Sequence, residues 1–123
     1  MARILVVDDE AMLRSTFRSI LEKAGHTVVE AGDGDECVKA FHQQRPDLIL
    51  IDIVMPKREG VETVAELRRL DPHIPIIAMS GGGSAGTTLF LDLAVNLGAT
   101  EALHKPIRRE ALLAAVDKYL DQA

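Results

Sequence analysis

Five short apolar runs, separated by longer stretches in which apolar residues recur every three or four positions, constrain this chain more than any other feature. The runs are Arg3 to Val7, Thr27 to Ala31, Asp47 to Ile51, Ile74 to Met79 and Thr100 to Leu103. The first, third and fourth carry apolar side chains at consecutive positions. That is the pattern of strands covered on both faces, as in a parallel sheet. Between them, Leu13, Phe17, Ile20, Leu21 and Ala24 form one helical stripe, which Gly25 stops. Val38 and Phe41 mark a second helix closed by Pro46, and Val61, Val64, Leu67 and Leu70 a third ended by Asp71-Pro72. Leu89, Phe90, Leu93, Ala94 and Leu97 mark a fourth, ending at Gly98, and Leu112, Leu113, Val116 and Leu120 a last one. Five strands each followed by a helix predict an α/β fold with right-handed crossovers and helices on both faces of a parallel sheet. The commonest five-stranded order is 2-1-3-4-5, which places a site at the carboxyl ends of strands 1 and 3.

Size and composition narrow the function. At 123 residues, 47% hydrophobic and 27% charged, the chain is expected to be one globular domain, residues 1–123. A single cysteine excludes an internal disulfide framework and suits a reducing cytoplasm. The apolar runs are too short to cross a bilayer, and Met1-Ala2-Arg3 lacks the long apolar stretch of a signal peptide. A cytoplasmic protein without membrane contact is expected. The net charge of −5 leaves no basic stripe for direct nucleic-acid binding.

At the predicted strand ends stand Asp8, Asp9, Asp52, Ser80 and Lys105, scattered in sequence and gathered by topology. Each alone has a plain reading. Asp8 or Asp9 could cap a helix, Asp52 could form a turn, Ser80 could be a loop hydroxyl and Lys105 a solvated lysine. Together they carry an electrostatic problem. Two carboxylates about 4 Å apart repel by roughly 4 kcal/mol at an effective dielectric near 20. A hard, oxygen-ligated divalent cation answers it, and Mg²⁺ is the abundant choice. Asp52 interrupts a run that is apolar on both sides. A carboxylate nucleophile, a metal, an ammonium and a hydroxyl suit phosphoryl transfer, with Asp52 attacking in line.

These residues carry a resemblance. Ile4-Leu5-Val6-Val7-Asp8-Asp9, then Asp52-Ile53-Val54-Met55-Pro56 with Gly60, then Ser80, then Lys105-Pro106 make the chain similar to the receiver domain of bacterial two-component response regulators, over its whole length. The resemblance implies a flavodoxin-like (βα)5 fold of the single-domain, CheY-like kind, with no output domain. It implies Asp52 as phosphoacceptor, Asp9, Asp52 and the Val54 carbonyl as Mg²⁺ ligands, and Asp8 acting through water. Ser80 and Lys105 are implied to bind the phosphoryl group, the Lys105-Pro106 bond to be cis, and Gly60 to serve a turn that a side chain would obstruct. A sensor histidine kinase or histidine phosphotransfer protein is the implied donor, and a protein the implied downstream target.

Two features depart from the family. Ala102 stands three residues before the lysine, where receivers carry an aromatic residue that moves on phosphorylation. The segment from Ser80 to Lys105 is also about three residues longer, the excess falling in the glycine-rich stretch from Gly81 to Gly86, which is expected to be mobile. On a helical wheel of the fourth helix, Leu91 and Val95 oppose the core-facing arc. With Ala102 they are read as an apolar partner or homodimer face formed by the fourth helix, fifth strand and fifth helix. His26, His42, His73 and His104 have no metal-ligand spacing, Cys37 is read as core-facing, and Arg108 and Arg109 as solvated.

The expectation is a phospho-accepting switch of a phosphorelay, assisting its own phosphorylation and dephosphorylation without being a turnover enzyme. The alternative is a degenerate receiver that binds partners independently of phosphate, which Ala102 favours. A flavodoxin-like nucleotide binder would need a phosphate loop after strand 1, where Asp8-Asp9 repels an anion. An aspartate-nucleophile phosphatase resembles D-x-D after strand 1, and here the acids are adjacent.

Overall fold

The computed structural model of the chain describes residues 2–53, 60–80, 92 and 94–120. Strands β1 (Arg3–Val7), β2 (Thr27–Ala31), β3 (Leu48–Asp52), β4 (Ile76–Ser80) and β5 (Glu101–His104) pair in parallel, in the order β2-β1-β3-β4-β5. Helices α1 (Ala11–Lys23), α2 (Gly34–Gln43) and α3 (Gly60–Leu70) connect the first four strands. Residues 92 and 94–96 are helical and are called α4, and α5 (Arg109–Leu120) follows β5. The topology is the flavodoxin-like one that the alternation predicts. Among the described residues no helix is long and apolar enough to cross a membrane.

The three runs with consecutive apolar residues are the three interior strands. From Ile4 onward β1 is buried, and β3 and β4 are buried throughout, whereas the edge strands β2 and β5 are largely half-exposed. Strand alternation divides the core into two. Ile4, Val6, Leu48, Leu50, Ile77 and Met79 meet α1 and α5 through Phe17, Leu21, Leu112, Ala115 and Val116. On the other face Leu5, Val7, Ile49, Ile51, Ile76 and Ala78 meet Cys37, Phe41, Val61, Val64, Leu67 and Ala94.

Helix ends follow their sequence signals. At the end of α1 the His26 N–H donates to the Leu21 carbonyl (3.1 Å) and the Gly25 N–H to Glu22 (3.0 Å), with Gly25 at φ 98°. Gly98, at φ 127°, closes α4 in the same way, through bonds from Ala99 to Ala94 and from Gly98 to Val95. Both are Schellman closures, which need a left-handed residue that glycine adopts without strain.

Three strands end further along than their apolar runs suggest. Asp52 pairs with Met79 and Ser80 with His104, so both polar residues lie in the ladder as the last members of their strands. Ladder bonds are made by the backbone and do not stop where the side chains turn polar. Asp47 and Thr100 stand before their strands instead. The Asp47 carboxylate accepts the Arg3 N–H (2.8 Å), and Thr100 Oγ1 accepts the Ile76 N–H (3.0 Å). Leu70 and Leu97 are 41% and 40% exposed, outside the stripes to which the periodicity assigned them. Leu70 lies nine residues beyond Val61, which at about 100° per residue is half a turn from it. Leu97 lies in the turn after α4, where helical periodicity no longer applies.

Candidate functional site

Two strands carry the acidic residues to the sheet's carboxyl edge, β1 leading into Asp8 and Asp9 and β3 ending at Asp52. Asp8 follows β1 directly and is fully buried, and every one of its polar groups is engaged. Its N–H donates to the Ala31 carbonyl (3.1 Å) and its own carbonyl accepts Arg14 Nη1 (2.6 Å). Oδ1 accepts the Glu10 N–H (2.9 Å), and Oδ2 accepts Lys105 Nζ (2.7 Å). Helix α1 begins without a side-chain cap, its N-cap position being Glu10, so neither aspartate is spent as a cap. Asp9 is exposed at the rim, and Asp52 is 5% exposed at the end of β3.

Lys105, the residue after β5, bridges the two buried acids. Its Nζ lies 2.7 Å from Asp8 Oδ2 and 3.3 Å from Asp52 Oδ2. Burial pulls the Lys105 pKa down, but hydrogen bonding to Asp8 and the charges of Asp52 and Asp8 outweigh it and hold the group above the usual lysine value. The Lys105–Pro106 peptide is cis. Ser80, fully buried, holds the loop beyond β5 through its carbonyl, which accepts the Lys105 N–H (2.8 Å).

The donor set fits a hard divalent cation. One carboxylate oxygen each from Asp8, Asp9 and Asp52 lie within 4.8 Å of one another. Oxygen-only ligation with two buried acids and one open to solvent suits Mg²⁺, which keeps part of its water shell. Lys105 supplies one positive charge against three carboxylates, a balance that a divalent ion would carry further.

Gly60 opens α3 directly against the strand that carries Asp52. A Cβ there would stand 2.3 Å from Ile53 Cα and 2.4 Å from the Asp52 carbonyl oxygen, too close for any side chain. Val54 and Leu91 lie outside the described residues. Val95 is 43% exposed, whereas Ala102 is half-buried and packs against the core cluster shared with Ala78 and Ala94. Pro106 is exposed and, with Leu13, Thr16, Phe17, Ile20, Lys105 and Ile107, lines an apolar groove of about 340 Å³ beside the lysine.

Sequence reasoning missed Arg14 and Glu30. Arg14 Nε donates to Glu30 Oε1 (3.0 Å) while Nη1 holds the Asp8 carbonyl. Arg18 Nη1 pairs with the other Glu30 oxygen, and its Nη2 donates to the Val28 carbonyl (3.1 Å). Burial opposes the charge of Glu30, but Arg18 and Arg14 more than offset that and keep its carboxyl below the usual range. The signal was available: Glu30 is a lone acid in the run Thr-Val-Val-Glu-Ala, the same kind of interruption that marks Asp52.

Comparison with known proteins agrees with this geometry. Residues 4–117 match the response regulator receiver domain family. The chain is 35% identical over 120 residues to the chemotaxis protein CheY of Bacillus subtilis, covering 97% of this chain and 98% of that protein. It is 35% identical over 114 residues to the probable transcriptional regulator ycf27 of Guillardia theta, covering 93% of this chain and 43% of that longer protein. A response regulator receiver domain crystal structure from Clostridium thermocellum superposes with a TM-score of 0.91 at 29% identity, covering 99% of this chain and 96% of that one.

Proposed function

The chain belongs to the response regulator receiver family, and on that premise we propose that it is a phospho-accepting switch of a two-component phosphorelay, with Asp52 as the acceptor. The observation that carries this is the pairing of buried Asp52 with Lys105, beside two further carboxylates able to share a divalent ion. The donor is a phosphohistidine on a sensor kinase or a phosphotransfer protein. A carboxylate oxygen of Asp52 forms the new O–P bond as the N–P bond breaks, and the imidazole leaves with the electron pair and takes a proton. Mg²⁺, when bound by Asp9 and Asp52 with Asp8 through water, supplies charge neutralisation at the phosphoryl oxygens. Lys105 pairs with one of those oxygens, and the Ser80 hydroxyl donates to another.

The protein is a substrate in this chemistry and assists its own phosphorylation and dephosphorylation, so it is not a turnover enzyme. The chain works in the cytoplasm, on a protein target.

Incubation with MgCl2 and acetyl phosphate, followed by intact-mass measurement, tests the reading. A Mg²⁺-dependent gain of one phosphoryl group, absent in Asp52→Ala, is expected. An unchanged mass in the wild-type chain, or an equal gain in the variant, overturns it. The half-buried Ala102, in place of an aromatic side chain, favours a second reading, a phosphate-independent binding module. An inert chain that still binds its partner is the outcome that selects it.

A further inference from the structure

We infer that Arg14 is a positioning residue for the acidic site, acting through the peptide plane between Asp8 and Asp9 and held in line by Glu30. The inference deepens the proposed function and rests on it. The carbonyl of Asp8 belongs to the planar unit that joins the two aspartates, so fixing that oxygen fixes the direction in which Asp9 leaves the sheet. Arg14 Nη1 grips this oxygen at 2.6 Å. The other end of the same residue is held from β2, where the Ala31 carbonyl accepts the Asp8 N–H at 3.1 Å. Glu30, the residue before Ala31, takes Arg14 Nε at 3.0 Å and thereby orients the guanidinium. Two consecutive residues of β2 therefore set both ends of Asp8, one directly and one through Arg14.

Asp9 has the most exposed carboxylate of the three and depends most on such a constraint. Groups that orient ligands without touching the metal commonly change metal affinity by 10–100-fold. The sign of the effect separates positioning from simple charge. Arg14 is a cation near an anionic site, so if charge were its whole contribution, removing it would tighten Mg²⁺ binding. Loss of positioning weakens it.

The chain has no tryptophan, so binding is followed through amide resonances of the labelled protein titrated with MgCl2. Arg14→Ala is expected to weaken Mg²⁺ about tenfold. Arg14→Lys, which retains the charge and one donor, is expected to fall between that variant and the wild type. Glu30→Gln is expected to weaken binding in the wild-type background and to add nothing in an Arg14→Ala background, because it acts through the arginine. Arg45→Ala, which breaks an ion pair at the opposite edge of the sheet, is expected to leave the affinity unchanged.

Equal or tighter binding by Arg14→Ala overturns the inference while leaving the proposed function standing, and so does a full additive loss from Glu30→Gln in the double variant. If Arg14→Ala does not fold, Arg14→Lys decides in its place, wild-type affinity overturning the inference. A wild-type chain whose resonances do not respond to MgCl2 removes both readings.

Discussion

Two buried carboxylates and one ammonium make Lys105 the residue whose loss the site tolerates least. Removing it takes away the ammonium that bridges Asp8 and Asp52. Breaking a buried pair from one side usually costs about 3–5 kcal/mol, reduced here because Lys105 is only half-buried. Lys105→Ala is expected to lose about 2 kcal/mol of stability at neutral pH in urea unfolding, with part regained on adding MgCl2, since a divalent ion replaces the missing charge. Its pKa is raised in the folded chain, so the wild-type pair contributes fully below the ordinary lysine value. The lysine's part of that contribution is lost only as pH rises through the folded value, so measurements near neutral pH do not sample the loss. Gly60 makes a second test at this scale. Alanine favours a helix by about 1 kcal/mol over glycine. Gly60→Ala is nevertheless expected to destabilise by about 2–4 kcal/mol in thermal unfolding, because its methyl group would meet the backbone of Asp52 and Ile53.

At the scale of elements, the edge opposite the site is tied by Asp71, which follows α3. The Asp71 carboxylate accepts the His73 N–H (2.9 Å) and the Ile74 N–H (3.2 Å), and it pairs with Arg45 from the connection between α2 and β3. Arg68 joins α3 to the end of α4 through the Gly98 carbonyl (2.7 and 2.9 Å). Burial raises the pKa of Asp71, but the two N–H donors and the Arg45 guanidinium more than reverse this and hold it below the usual aspartate value. A depressed carboxylate stabilises above its unfolded pKa and loses that contribution as pH falls through the folded one. Asp71→Asn is therefore expected to be about 1–2 kcal/mol less stable at pH 7, with the gap closing below about pH 4 in unfolding curves taken at both pH values. The sequence made the elements legible because periodicity reports burial, and the three interior strands are apolar at nearly every position. It was least reliable at strand ends, where Asp52 and Ser80 continue the ladder, and at Leu70 and Leu97, where a regular spacing outlasts the buried face. The charged network of Arg14, Arg18 and Glu30 escaped it because those partners meet only when β2 lies beside β1.

For the whole molecule, the order β2-β1-β3-β4-β5 puts three fully flanked strands between two weaker edges. Amide hydrogen exchange is expected to be slowest in β1, β3 and β4 and faster in β2 and β5, tracking burial rather than sequence order. The five site residues named from the sequence alone, Asp8, Asp9, Asp52, Ser80 and Lys105, stand at one edge of the fold because each follows or ends a parallel strand. Parallel strands deliver all their carboxyl ends to one edge, so position along the chain was enough to group them. The pairing of Lys105 with Asp8 rather than chiefly with Asp52 could not be read that way, since it depends on side-chain reach. That pair joins positions 97 apart in sequence. A polypeptide still emerging from the ribosome carries Asp8 and Asp52 long before the lysine that balances them has been synthesised. The balanced edge therefore cannot form until translation has passed residue 105, and a product terminated before it carries both buried acids without that ammonium.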